Sequence, residues 1–269
     1  MNGTPLLALH ALAFGHHGRA LGAPVDLDVR AGEVVALLGP NGCGKTTLFR
    51  TVLGLIPALG GRVEVEGIDL LAAPREAIAR RVAYVPQAHG GVFAYRVEDV
   101  VLMGRAVHVG AFALPSRDDR AAAAEALERL GIAHLAARPY TEISGGERQL
   151  VLIARALAQR ARVIVMDEPT ASLDFGNQRV VLREIEALES RGVAVLLSTH
   201  QPEHALRIAD RVALMGAGAR WQAFGAAAAV MTPRTLADLY GVPEEEVARS
   251  VAGLARNVAG LARPAPGGA

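Results

Sequence analysis

Gly39-Pro40-Asn41-Gly42-Cys43-Gly44-Lys45-Thr46 has the residue types and spacing of a loop that cradles phosphates. Its glycines let successive backbone N–H groups, from Gly42 to Thr47, converge on an anion, and a helix opening at Lys45 adds the field of its N-terminus. Lys45 would reach the β- and γ-phosphates of a nucleotide, and the Thr46 hydroxyl would ligate Mg²⁺. Of 28 lysines and arginines, Lys45 is the only lysine. An ammonium is a compact point charge that enters a tight backbone nest, whereas a planar guanidinium is too wide for it. Nucleotide binding is therefore the organising fact of this chain. Cys43, inside the loop, reads as a small residue. A sharper expectation is that the anion-attracting loop lowers its thiol pKa.

Val163-Ile164-Val165-Met166-Asp167-Glu168 supplies acids. An apolar strand would deliver Asp167 to the Mg²⁺ shell and Glu168, one step further, to an attacking water. Two acids after an apolar run are common turn chemistry; downstream of a phosphate loop they gain meaning. Ser144-Gly145-Gly146-Glu147 opens an amphipathic helix, which reads as an ordinary N-cap or as a second anion site with outward N–H groups and a hydroxyl. A single nucleotide does not need two such sites on one chain. His200 follows another apolar strand and by itself reads as a turn histidine. Its spacing to His204 suggests a metal pair only until His200 is placed at a strand end.

The elements that must position these residues follow from periodicity. Leu6–Phe14 and Pro24–Val29 read as antiparallel strands joined by a Gly/His-rich turn. Glu33–Leu38 is a continuous apolar run, as expected of a central parallel strand. A helix over Lys45–Leu53 ends at Gly54. Strands are predicted at Arg62–Glu66, Val82–Val85, Val163–Met166, Val193–Ser198 and Arg211–Met215, with a short helix at Pro74–Arg80 and a longer one near Gln178–Ser190. Between them, Val97–Arg105, Asp118–Leu130 and Gly146–Arg160 carry helical periodicity with no intervening strand, and Ser116 with Asp119 resembles a capping box. The pattern predicts an α/β phosphate-loop NTPase core, a mostly parallel sheet with an antiparallel β lead-in, plus an inserted helical subdomain at about 90–160. This gives an ATPase domain over 1–228 and a C-terminal helical extension over 229–269. The extension is alanine-rich, with weak helices at Thr235–Tyr240 and Glu244–Leu254 and a Pro/Gly/Ala tail from Arg263.

Composition agrees. Hydrophobic residues at 51% with aromatics at 4% indicate a Val/Leu/Ile/Ala core suited to a buried parallel sheet. A net charge of +1 argues against a dedicated nucleic-acid binder. The single cysteine excludes an intramolecular disulfide. No apolar run reaches bilayer length, and Pro5–Phe14 lacks the basic flank of a signal peptide. The expected location is cytoplasmic, with any membrane link made through a partner.

Gly39–Thr46, Gln87, Ser144–Gln149, Asp167-Glu168, Ser172-Leu173-Asp174 and His200 fall in the order and approximate spacing of the ATP-binding cassette ATPases, which the chain resembles over roughly 6–225. The resemblance implies ATP and Mg²⁺ as cofactors and head-to-tail pairing with a second copy, Ser144 and Gly146 of one closing on the γ-phosphate held by Lys45 of the other. It implies that Gln87 senses Mg²⁺ and water, that Asp174 lies in a dimer-facing loop, and that His200 holds the γ-phosphate and water. Where family members stack adenine on an aromatic, this chain has His16, a weaker stacking ring. Phe93–Arg105 and Thr199–Ala205 look like the importers of iron chelates, haem, cobalamin and molybdate. That class implies an integral membrane permease, met through Val97–Arg105, and a periplasmic or surface substrate-binding protein acting indirectly. It also implies a peripheral position on the inner face of the membrane. An ATPase of iron–sulfur assembly, or the ATPase subunit of an exporter, would carry the same site motifs.

Overall fold

The computed structural model describes residues 4–87, 94–110 and 113–249. The chain enters through β1 (Leu7–Ala13), then β2 (Gly15–His16), β3 (Arg19–Ala20) and β4 (Val25–Val29). β1 pairs antiparallel with β4, as the lead-in predicts. The Gly/His-rich segment between them is more than a turn: β2 and β3 form their own small hairpin. A Cβ on Gly15 would lie 1.9 Å from the Arg19 carbonyl oxygen, so glycine alone lets this hairpin close.

Next come β5 (Val34–Leu38), α1 (Lys45–Val52), β6 (Gly60–Val65), β7 (Ile68–Asp69), α2 (Arg75–Arg81) and β8 (Val82–Val85). Gly54 terminates α1 in the left-handed region (φ 64) and donates its N–H to the Thr51 carbonyl. The helical insertion holds α3 (Val97–Leu102), α4 (Arg117–Arg129) and α5 (Gly145–Gln159). The predicted capping box at Ser116 and Asp119 is present on α4. α3 tightens into a 3₁₀ turn over Met103–Arg105, where Gly104 lets the chain approach α5 closely; a Cβ there would meet the Arg155 carbonyl at 2.1 Å. Phe93, which opens the class-suggesting stretch, lies outside the described residues.

The core resumes with β9 (Val163–Met166), α6 (Phe175–Ser190), β10 (Ala194–Thr199), α7 (Pro202–Ile208), β11 (Arg211–Gly216), β12 (Arg220–Ala226), α8 (Ala227–Val230) and α9 (Pro233–Tyr240). α6 starts before the predicted Gln178 because Asp174 caps it, its carboxylate accepting from the Asn177 N–H at 2.8 Å. β12, α7 and α8 are elements the periodicity does not announce. Residues 244–249 are helical; the rest of the predicted Glu244–Leu254 helix and the tail from Arg263 lie outside the described residues.

A six-stranded sheet runs β12-β11-β5-β10-β9-β8, parallel except for β12 at its edge. An antiparallel sheet, β4-β1-β6-β7, forms the second layer. Alternate residues of β5 serve two cores. Val35 and Leu37 join a cluster with α1 and the antiparallel sheet, while Val34, Ala36 and Leu38 join one with α5, α6 and α9. Burial on both faces is why this strand reads as an unbroken apolar run. Because β5, β10, β9 and β8 are parallel neighbours in close register (Leu38 opposite Thr199, Leu197 opposite Met166, Met166 opposite Val85), the segments that follow them emerge along one edge. Ligands bind at such carboxyl edges in open α/β sheets.

Candidate functional site

From that edge emerge, in order across the sheet, the loop Gly39–Gly44 after β5, His200 after β10, Asp167-Glu168 after β9, and Pro86-Gln87 after β8. The loop is pressed against β11: a Cβ on Gly39 would meet the Met215 carbonyl at 2.1 Å. Gly42 (φ 76) and Gly44 (φ 110) take backbone angles that L side chains rarely adopt. α1 then begins with Gly44 as its cap residue and no side-chain cap, so the amides of its first turn are not claimed by a neighbouring hydroxyl or carboxylate.

A cavity of about 540 Å³ is lined by His16, Asn41, Gly42, Gly44, Lys45, Thr46, Thr47, Gln87 and Glu168. Lys45 is buried, and its ammonium donates to the Gly39 and Pro40 carbonyls at 2.7 and 3.0 Å. It also lies 3.3 Å from Glu168 Oε1. The other Glu168 oxygen is 2.9 Å from His200 Nδ1, so one carboxylate bridges the lysine and the histidine. Glu168 itself sits at φ 47, a strained position for a non-glycine residue, which this double engagement supports.

Ser198, which sequence reasoning passed over, organises the acidic pair. Its hydroxyl donates to Asp167 Oδ1 at 2.6 Å and accepts the Glu168 N–H at 2.9 Å. The only signal for it was its position, one residue past Leu197 on the strand that pairs with β9. Asp167 is 2% exposed and shares an adjoining cavity with Thr46, Gln87 and Tyr84. A hydroxyl, a carboxylate and an amide oxygen are the hard donors that Mg²⁺ takes, with phosphate and water completing its shell, so these residues fit that ion.

Burial decides the question at Cys43. The thiol is 3% exposed, and desolvation raises its pKa above the usual 9.0 against the opposing pull of Lys45. The expectation of a lowered thiol pKa is thus overturned, and Cys43 is a small packing residue. His204 is not paired with His200 as a metal site; it is hydrogen-bonded through Nδ1 to the Thr170 hydroxyl at 3.0 Å. His16, carried on β2, is hydrogen-bonded to the Thr47 hydroxyl at 2.9 Å, which orients its ring beside the loop.

Ser144, Gly145 and Gly146 are not among the described residues lining the nucleotide-sized cavity. Ser144 and Gly145 are exposed at the start of α5. This start is less open than the sequence suggests. Ser144 accepts the Glu147 N–H at 3.2 Å, and the Glu147 carboxylate accepts the Ser144 N–H at 2.7 Å. The helix therefore carries its own anion, with the Ser144 proton still available to donate. Asp174 likewise does not line the cavity. It caps α6 beside Phe175, whose ring is 74% exposed with the Arg179 guanidinium 5.8 Å from its centre. Among the described residues, no helix is long and apolar enough to cross a membrane.

This geometry agrees with what the chain is similar to. Residues 23–171, more than half the chain, match the family model described as ABC transporter. A hemin import ATP-binding protein of Streptomyces coelicolor is 41% identical over 243 residues, covering 90% of this chain and 86% of that protein. A molybdate import ATP-binding protein of Haemophilus influenzae is 38% identical over 220 residues, 81% of each. Among solved structures, an inward-facing conformation of a metal-chelate type ABC transporter superimposes with a TM-score of 0.78 at 36% identity, covering 89% of this chain and 90% of that one. The chain belongs to the ABC transporter family, as one of its ATP-binding ATPases.

Proposed function

We propose that this chain is the ATP-hydrolysing subunit of an importer, and that two copies pair head to tail around two nucleotides and drive a separate integral membrane permease. The observation that carries the pairing is that Ser144 and Gly145 stand exposed, and that neither they nor Gly146 lines the cavity that holds Lys45 and Glu168. A γ-phosphate bound by Lys45 of one copy then meets Ser144 and Gly146 of the other, with Asp174 and the exposed Phe175 at the join. Residues 1–228 serve as the ATPase domain, with the helical subdomain at about 90–160, and 229–269 as its extension.

Within each half-site, the loop amides and Lys45 bind the phosphates, and the His16 ring lies against the base. Asp167, Thr46 and Gln87 hold Mg²⁺, which when bound spreads the charge of the phosphates. Glu168 accepts a proton from the attacking water, and His200, hydrogen-bonded to that carboxylate, holds water and γ-phosphate in line. A groove of about 380 Å³ in the helical subdomain, lined by Glu98, Leu102, Ala123 and Leu127, lies apart from this chemistry and receives the permease. The cargo, delivered by a periplasmic or surface binding protein, is a metal chelate such as haem, an iron siderophore or cobalamin, or else molybdate or tungstate. The names of the similar import proteins support this class. The subunit works on the cytoplasmic side, peripheral to the membrane that holds its permease.

Glu168→Gln tests the reading. It is expected to bind ATP, lose turnover by about 10²–10⁴-fold and accumulate an ATP-dependent dimer in size-exclusion chromatography. Wild-type turnover in that variant would remove Glu168 as the base. Purifying the protein with its membrane partner identifies the permease directly.

A further inference from the structure

The extension contains a contact to the catalytic edge that the site motifs do not include. α9 is built to be rigid. Thr232 and Thr235 form a capping box, Pro233 occupies its first turn, and Gly241 closes it in the left-handed conformation (φ 67). Leu236, Ala237 and Leu239 are buried, Leu236 and Leu239 in the same core as β10, so the helix is held along one side. At its last residue the Tyr240 hydroxyl donates to the carbonyl oxygen of His200 at 3.0 Å, across 40 residues of sequence.

His200 occupies the short joint between β10 and α7. The residue that caps α7, Gln201, provides no side-chain cap. Within the joint the Gln201 N–H donates to the Thr199 hydroxyl at 3.0 Å, and from outside a half-buried phenol holds the His200 carbonyl. Burial and the nearby Cys43 and Glu168 push the Tyr240 pKa well above the usual 10.0, so the phenol keeps the proton it donates here.

We propose that Tyr240 is a positioning residue for hydrolysis: its hydroxyl fixes the His200 backbone, which keeps the imidazole against Glu168 and gives the C-terminal extension control over the ATPase rate. The proposal rests on the reading of His200 as the group that holds water and γ-phosphate. Tyr240 does not itself touch the reacting atoms. A tyrosine that merely anchors α9 would cost stability when altered and leave the chemistry alone.

Tyr240→Phe keeps the ring and its packing and removes the donor. In full-length protein, kcat for ATP hydrolysis is expected to fall about 3–10-fold, the scale of one hydrogen bond, with KM and ATP affinity unchanged. Unchanged ATP affinity also reports that the fold is intact. His200→Ala and the double variant complete the cycle: Tyr240→Phe should have no further effect once His200 is gone. An unaltered kcat in Tyr240→Phe, or the same fold loss in the His200→Ala background, would overturn the proposal and leave Tyr240 as an anchor. Wild-type turnover in His200→Ala would instead overturn the reading of His200, and the two failures are distinguishable.

Discussion

The helices that start at Lys45 and at Gly145 both have glycine at their start, as the cap residue of α1 and as the first residue of α5, yet their first turns are completed in opposite ways. α1 has a left-handed glycine as its cap residue, no side-chain cap and no acid in its first turn. α5 has a serine cap, a reciprocal glutamate and hence a carboxylate already seated on its positive end. By the field of the helix N-terminus alone the two would compete equally for an anion. The local chemistry separates them: the first turn of α1 is unclaimed by side chains, whereas that of α5 is stabilised before any ligand arrives. A phosphate meeting α5 finds the Ser144 proton and the glycine surface, but it also finds Glu147. Such a start contributes to binding when something else brings the phosphate to it, which is what the proposed half-site on a second copy would do.

The sharpest way to break this contrast is Lys45→Arg. If α1 is the primary phosphate site and its nest admits only an ammonium, ATP turnover measured by phosphate release falls about 10²–10³-fold. Undiminished turnover would undo the reason given for the single lysine. Ser144→Asp probes the other helix start. Aspartate caps as well as serine, so thermal stability should stay within about 0.5 kcal/mol, whereas a second carboxylate facing the γ-phosphate should lower turnover about 10-fold or more. Intact turnover would reduce the start of α5 to a cap.

The smallest effect concerns Glu147. The hydrogen bonds it accepts from Ser144 hold its pKa below the usual 4.5. A carboxyl depressed in the folded state contributes stability above its unfolded pKa and loses it as pH falls through the folded value. Melting temperatures of wild type and Glu147→Gln, compared from about pH 7 to about pH 3, should therefore converge below about pH 4.5. A constant difference across that range would show that the carboxylate does not cap the helix.

What the sequence revealed depended on how far apart in the chain the partners lie. The phosphate loop was legible because its glycines, lysine and following helix are contiguous, and the β5 strand because its apolar run reports burial on both faces. The capping box on α5 was written in four residues, although its consequence for the second anion site needed the closed geometry. Ser198 and Asp167 are 31 residues apart, His16 and Thr47 also 31, and Tyr240 and His200 are 40 apart. Each pair meets only because the sheet order and the packing of α9 bring distant segments to one edge, and neither periodicity nor motif spacing encodes that. Cys43 failed for a related reason: the loop's field was visible in sequence, but the burial that outweighs it is a property of the packed core.

The contacts of Lys45 bear on how a nucleotide is taken up. Its ammonium is matched by Glu168 and two carbonyl oxygens, so the loop holds an internal counter-ion. Nucleotide capture is then an exchange at the ammonium, in which a phosphate oxygen takes the place of the Glu168 carboxylate while that carboxylate stays within the site. The displaced carboxylate is Glu168, the proposed base. Arrival of the γ-phosphate at the lysine would therefore also release the group that must accept the proton, tying activation of the water to occupancy of the site.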